Sequence, residues 1–207
     1  MTGEQPTVGI VDYGVGNIGS LTNMFRHLGA EVVLCRDEEG IATAERLVLP
    51  GVGAFDHAMT ELRSRGLVDA LTGYAETGAP LLGICLGMQL LLDSSEEGVT
   101  HGLGLIQGGS VRFDGEGTGV RVPQMGWNTV TPLRPSPLFE GLETENRFYF
   151  VHGYAVECAD PADELGRTEY GRAYTSMVQH GNVVGMQFHP EKSHTFGMRL
   201  LSNWMAS

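Results

Sequence analysis

The hydrophobic pattern divides the chain into two halves. In the first, short apolar runs at residues 7–11, 31–34, 46–49 and 80–84 read as strands. Between and around them, residues 17–28, 54–63 and 67–76 carry apolar positions at helical spacing. Strands that alternate with helices and are apolar nearly throughout predict a mostly parallel sheet covered on both faces.

The second half reads differently. Glycine is dense over residues 102–119, and residues 120–184 show strand and turn signals without a strong helical period. The clearest strands are 147–151, 167–170 and 183–188. They predict antiparallel additions to the α/β core. An amphipathic helix is expected at 196–205. No linker, repeat or low-complexity segment interrupts the pattern, so residues 1–207 are expected to form a single domain.

Composition narrows the class. Of the 207 residues 42% are hydrophobic and 18% charged, as in an ordinary globular protein. The net charge of −12 argues against nucleic acid, whose phosphates call for a basic patch. Three cysteines, an odd number, do not make a disulfide framework and suggest a reducing compartment. Residues 1–6 do not read as a secretory signal. The longest uncharged apolar run, 81–92, is too short to span a bilayer and contains Gly83 and Gly87. A cytoplasmic protein with no membrane contact is expected.

One motif points toward a dinucleotide. Gly14-Val15-Gly16-Asn17-Ile18-Gly19 matches G-x-G-x-x-G between a strand and a helix. Asp12 and Tyr13 delay the turn, however, and no acid sits cleanly at the tip of the second strand for a ribose hydroxyl. With 30 glycines in the chain, the motif also reads as a simple loop leading into a helix, with Asn17 near its cap.

A second motif carries chemistry. Gly83-Ile84-Cys85-Leu86-Gly87 follows an apolar strand and precedes Met88-Gln89-Leu90-Leu91-Leu92, which reads as a helix. This is the nucleophile elbow, with cysteine in place of serine. The turn would set Cys85 at a helix N-terminus, where dipole and free N–H groups favour a thiolate. The N–H of Leu86 would face a developing oxyanion. Cys35 and Cys158 lack such a setting and read as small buried hydrophobes.

A thiol nucleophile needs a base, and the base an orienting group. Among seven histidines, His27, His57 and His101 read as surface residues, and His180 lies in a turn beside Gly181. His189 follows the 183–188 strand, at the sheet end where open α/β folds place active sites. Glu191 stands two positions on; in extended chain it would point the same way and reach the far ring nitrogen. The order Cys, His, Glu differs from the nucleophile, acid, histidine order of α/β-hydrolases.

The Cys85 motif and Gln187-Phe188-His189-Pro190-Glu191-Lys192-Ser193 resemble the class I glutamine amidotransferases. Five further features are similar to the glutaminase subunits of imidazole glycerol phosphate synthases within that family. They are Met88 after the elbow, Asp12-Tyr13-Gly14-Val15-Gly16-Asn17, Leu49-Pro50-Gly51-Val52-Gly53-Ala54-Phe55, Pro123-Gln124-Met125-Gly126-Trp127-Asn128 and Phe148-Tyr149-Phe150-Val151-His152. The resemblance implies a flavodoxin-like α/β sheet and a Cys85-His189-Glu191 triad. It implies oxyanion donors at the backbone of Val52 and Leu86, and glutamine contacts at Gly53 and Gln89. It places Asn17, Trp127, Asn128, Tyr149, His152 and Lys192 near a partner interface or ammonia exit. The implied partner is a (β/α)8-barrel cyclase subunit in a heterodimer; no metal or organic cofactor is implied. The implied reaction hydrolyses glutamine to glutamate and passes ammonia to the cyclase in histidine biosynthesis. That partner would make imidazole glycerol phosphate and an aminoimidazole carboxamide ribotide. Two positions depart from many relatives: Gly153, where serine or threonine is common, and Gln124, where some have histidine.

Three other readings stay open on the residues alone. A stand-alone Cys-His-Glu amidohydrolase would need no partner. A dinucleotide-binding oxidoreductase would use Gly14 to Gly19. A sensing or scaffolding subunit would carry a silent triad, against which the intact Cys85, His189 and Glu191 argue.

Overall fold

A computed structural model describes residues 6–142 and 145–207; residues 1–5, most of the polar start considered above, lie outside the described residues. The first half alternates as expected: β1 (Thr7–Val11), α1 (Ile18–His27), β2 (Glu31–Cys35), α2 (Glu38–Ala42), β3 (Arg46–Gly51), α3 (Phe55–Ser64), α4 (Leu67–Glu76), β4 (Leu81–Cys85) and α5 (Leu86–Leu90). The helix read at residues 88–92 therefore starts and ends two residues earlier, directly on the strand that precedes it. Helix α2 was not expected. It holds one fully buried residue, Ile41, too few to set a period, and Asp37 caps it by accepting from Gly40 N–H at 2.9 Å.

The second half is mostly strand: β5 (Ser94–Ser95), β6 (Gly108–Arg112), a short α6 (Gly115–Thr118), β7 (Gln124–Asn128), β8 (Thr131–Pro132), β9 (Phe148–His152), β10 (Tyr154–Cys158), β11 (Glu164–Tyr170), β12 (Arg172–His180) and β13 (Val183–Met186). Helix α7 (His194–Ala206) follows. Strand β12 was missed although it has nine residues. Thr175 and Ser176 are buried in its middle and interrupt the apolar run; the Thr168 hydroxyl satisfies Ser176 at 2.8 Å.

Among the described residues the main sheet runs β2-β1-β3-β4-β13-β12-β10-β6-β5, with β11 beside β12 and β8 beside β11. Strands β2, β1, β3, β4 and β13 are parallel; β12, β10 and β6 continue the sheet antiparallel. The order 2-1-3-4 is the flavodoxin-like winding expected above. Strands β7 and β9 form a separate antiparallel pair.

Two cores cover the two faces. Leu21 and Phe25 of α1 and Leu200, Leu201 and Trp204 of α7 pack on one face. Ile41, Phe55, Met59, Leu62, Leu67 and Leu71 pack on the other. Phe25 and Trp204, with ring centroids 6.0 Å apart, tie α1 to α7; truncating either to alanine would cost roughly 3–5 kcal/mol. Both faces being covered, the free edge is the line of strand C-termini. Gly51 and Cys85 lie there side by side, and Met186 ends the next strand beside Ile84.

Candidate active site

Strand β4 passes into α5 with no loop between, and the junction falls on Cys85. Its backbone sits at φ 56° and ψ −112°. Cys85 and His194 are the non-glycine residues of positive φ among the described ones. Such a conformation costs on the order of 1–3 kcal/mol and persists only where its surroundings enforce it. Here the enforcement is close packing. A Cβ on Gly83 would lie 2.7 Å from the Gly87 carbonyl oxygen, and one on Gly51 would lie 2.8 Å from the Gly87 nitrogen. A Cβ on Gly87 would overlap the Leu49 carbonyl. Met88 is buried beneath β13, where a Cβ on Gly185 would come within 2.7 Å of its Cγ.

The base arrives from the next strand. The reading of 183–188 as one strand needs correction: β13 ends at Met186, and the chain then changes partners. Gln187 N–H still donates to Ser176 of β12, but His189 N–H donates to Tyr149 of β9 at 2.8 Å. Ser193, fully buried, locks this crossing: its hydroxyl donates to the His189 carbonyl at 2.6 Å and accepts from Tyr149 N–H at 2.9 Å.

His189 Nδ1 lies 2.9 Å from Glu191 Oε1, with side chains 3% and 1% exposed. The expected contact is present, but its route is not extended chain. Pro190–Lys192 form a 3-10 turn that folds the carboxylate back onto the ring. With Nδ1 bonded to Glu191, Nε2 is the nitrogen left for Cys85, whose proximity helps to raise the His189 pKa. Burial opposes the imidazolium, yet the contacts with Cys85 and Glu191 outweigh it and hold the His189 pKa up at about 9.

Further groups surround the sulfur. Gln187 Nε2 lies 3.9 Å from Cys85 Sγ, and Gln187 Oε1 accepts from Gln89 Nε2 at 3.0 Å. The Cys85 thiol faces the Val151 carbonyl at 3.9 Å. Tyr13, fully buried, donates to the Pro50 carbonyl at 2.8 Å and fixes the end of β3. A cavity of about 390 Å³ opens over Cys85, and Val52, Gly53, Leu86, Gln89 and His189 line it. Gly53 turns at φ +89° with open space where a Cβ would be, and Val52 is 41% exposed. Glu97, Val151 and Tyr154 also line the cavity and were not anticipated. Glu97 stands in a polar loop without a motif; its Oε2 caps α3 by accepting from Phe55 N–H at 2.9 Å.

The residues expected near an interface separate into groups. Trp127 is 46% exposed and lies edge-on to Tyr149 at 5.9 Å. Lys192 Nζ stands 5.9 Å from the Tyr149 ring. His194, unanticipated, stacks on Trp127 at 5.3 Å. These four form one surface cluster beside the triad. Asn17 is at the N-cap position of α1, as expected, though its side chain makes no cap bond. Asn128 is engaged internally, donating to the Glu169 carbonyl at 2.8 Å. His152 is not at the surface: it is 6% exposed and forms part of the cavity wall.

The remaining cysteines differ from Cys85. Burial raises the Cys35 thiol to about 11 and the Cys158 thiol to about 12, with nearby acids adding to the rise. Cys158 is only partly buried, so the expectation of a buried residue holds for Cys35 alone. In the Gly14 to Gly19 loop, Gly16 packs on Pro50 and Gly14 faces Arg65, so protein atoms crowd these glycines. Asp12 pairs with Arg36 at 2.7 Å rather than standing free.

Known proteins are similar to the chain in both sequence and fold. The family model described as glutamine amidotransferase class-I matches residues 9–207. The imidazole glycerol phosphate synthase subunit HisH of Sulfurimonas denitrificans is 48% identical over 95% of this chain and 96% of its own length. The subunit of that name from Symbiobacterium thermophilum is 50% identical over 94% of this chain and 91% of its own. A solved structure of PurLQS from Thermotoga maritima superposes with a TM-score of 0.77 at 18% identity, covering 98% of each chain, and so shares the fold. The elbow, the strand-end histidine and these relatives agree: the chain belongs to the class-I glutamine amidotransferase family.

Proposed function

We propose that this chain is the glutaminase subunit of an imidazole glycerol phosphate synthase, acting as one domain over residues 1–207 in the cytoplasm. The observation that carries the proposal is the buried His189–Glu191 pair at 2.9 Å beside a strained Cys85, on the floor of a cavity sized for a small substrate. No helix among the described residues is long and apolar enough to cross a membrane.

The chemistry uses glutamine, water and groups of this chain. His189 Nε2 takes the Cys85 thiol proton, and sulfur attacks the side-chain amide carbon of glutamine. Charge on the amide oxygen is met by the N–H groups of Val52 and Leu86. His189 returns the proton to the leaving nitrogen, the C–N bond breaks, and ammonia departs from a thioester. Water, deprotonated by His189, then attacks that thioester; the C–S bond breaks and glutamate is released. Glu191 orients His189 throughout and stabilises its charged form. Gly53 and Gln89 contact the substrate.

The partner proposed is a (β/α)8-barrel cyclase subunit in a heterodimer. Trp127, Tyr149 and Lys192 supply an exposed aromatic and cationic face beside the triad, with Asn17 at the start of α1 on the neighbouring element. Ammonia in neutral water becomes ammonium and loses its nucleophilic lone pair, so a shielded route to the cyclase is required. Gly53, at φ +89° and without a Cβ, would allow the Val52 peptide to turn into place when the partner docks. The test is glutamine hydrolysis by the chain alone and with the cyclase and its nucleotide substrate. A strong rise with the cyclase is expected; equal rates would contradict control by the partner. Cys85→Ala should abolish synthesis from glutamine and leave synthesis from ammonium salts. Loss of both would contradict an ammonia-supply role.

A further inference from the structure

Behind the cavity wall lies a buried polar chain that the chemistry above does not use. His152 closes β9, and its Nδ1 lies 2.7 Å from the carbonyl oxygen of Tyr154. Its Nε2 lies 3.2 Å from the Tyr174 hydroxyl, which in turn lies 2.8 Å from the atom placed as Gln124 Oε1. His152, Tyr174 and Gln124 are 6%, 4% and 2% exposed. Phe113 packs against the first two rings at 5.4 and 5.0 Å and shields them. Gln124 and His152 are direct partners across β7 and β9, whereas Tyr174 comes from β12.

Counting hydrogens sets the direction of these bonds. A carbonyl oxygen only accepts, so His152 Nδ1 carries a hydrogen. Burial outweighs the Tyr154 carbonyl and, with the charge of His189, pulls the His152 pKa down to about 4. At neutral pH Nε2 is therefore bare and must accept. Tyr174 has one hydroxyl hydrogen, which cannot serve both neighbours. One arrangement satisfies all three groups. Tyr174 donates to His152 Nε2, and the Gln124 amide turns its NH2 toward the Tyr174 oxygen. Oxygen and NH2 fill nearly the same space, so the turn costs no packing.

We propose that Gln124, Tyr174 and His152 form a one-way hydrogen-bond relay that holds the 151–154 turn against Cys85, making Tyr174 a positioning residue for glutamine binding. The proposal rests on the glutaminase reading. Val151, Gly153 and Tyr154 of this turn line the cavity, and the Val151 carbonyl faces the Cys85 sulfur. Gly153 offers no side chain to brace the turn, and a Cβ there would meet only Val122 at 3.7 Å. The His152 ring supplies the brace by gripping the carbonyl two residues on. At its other end the relay reaches β7, whose outward residues Met125 and Trp127 are 65% and 46% exposed on the proposed partner face.

Tyr174→Phe keeps the ring and its packing but removes the hydroxyl. In the complex with the cyclase, the KM for glutamine should rise about threefold to tenfold, as expected for one lost hydrogen bond, with kcat nearly unchanged. Synthesis from ammonium salts should not change. An unaltered KM in a folded variant would overturn the proposal. Nitrogen NMR of histidine-labelled protein provides a readout independent of activity. His152 should be the neutral form with hydrogen on Nδ1; hydrogen on Nε2 instead would overturn the relay. Gln124→Glu adds a second test should Tyr174→Phe not fold. A carboxylate only accepts, so Tyr174 turns to it and His152 takes a second proton, giving an imidazolium signal at neutral pH. A His152 still neutral beside an ionised carboxylate in that variant would also overturn the relay. A wild-type complex that hydrolyses no glutamine would instead defeat the glutaminase reading, while the NMR still decides the relay.

Discussion

Glu191→Gln isolates the contribution of one charge to the triad. Glutamine retains an oxygen for His189 Nδ1 and nearly the same volume, so the 2.9 Å contact survives while the negative charge is lost. His189 holds its proton to about pH 9 rather than 6.5, a difference worth roughly 3 kcal/mol in favour of the imidazolium. Two unit charges 4 Å apart attract by about 4 kcal/mol at an effective dielectric constant of 20. Burial lowers the His189 pKa, and the contacts with Cys85 and Glu191 together raise it, so the Glu191 charge is a large share of the opposing pull but not all of it. The sign follows: with the charge removed, the imidazolium is lost at lower pH. In wild type, kcat/KM for glutamine should fall as pH rises through about 9, where His189 gives up the proton owed to the leaving nitrogen. In Glu191→Gln that limb should move to lower pH, and kcat should drop by roughly 10²–10⁴. The assay is glutamine hydrolysis by the complex from pH 6 to 10. A limb that stayed near pH 9 would refute the assignment of Glu191 as the charge that stabilises His189.

Other expectations follow from neighbouring contacts. Gly87→Ala pushes a methyl group into the Leu49 carbonyl, with backbone on both sides, so it should cost about 3 kcal/mol or more, at the top of the overpacking range. Denaturant unfolding measures this, and a change below about 1 kcal/mol would contradict the close approach of β3 and α5. His152 is neutral in the fold down to about pH 4, against 6.5 in the unfolded chain. Between those values the unfolded state binds the extra proton, so stability falls as the solution is acidified, by roughly 3 kcal/mol over the window. His152→Asn should flatten that part of the pH–stability curve relative to wild type; an unchanged slope would count against a neutral, buried His152.

Much of the parallel half was legible because β1, β3 and β4 are buried on both faces and read as unbroken apolar runs, as in Leu81–Cys85, while the edge strand β2 is mostly exposed. Its helices carry one apolar stripe each. The antiparallel half was harder. Strand β12 is buried in its middle but spends two of those positions on Thr175 and Ser176, and the Ser176 hydroxyl is satisfied internally. The apparent strand at 183–188 bends at Gln187 and Phe188 and passes from one sheet to another between Gln187 and His189, a change of partner that no local pattern marks. At the site, residues held by local geometry were visible: Cys85 between its glycines, and Glu191 beside His189. Glu97 and Tyr154 reach the cavity through tertiary packing and have no local signature. His152 was expected near an interface or ammonia exit because of its motif; its contact with Tyr174 and Gln124 across three strands, which makes it an internal part of the cavity wall, has no local signature.

The central claim is that Cys85, and neither of the other two cysteines, attacks glutamine. A diazoketone analogue of glutamine alkylates the thiol that occupies the place of the nucleophile. After incubation with the complex, peptide mapping by mass spectrometry should locate one label, on Cys85, and loss of glutamine hydrolysis should track its occupancy. Cys35 and Cys158, held as thiols by pKa values of about 11 and 12, should remain unlabelled. Inactivation with Cys85 unmodified would contradict the account.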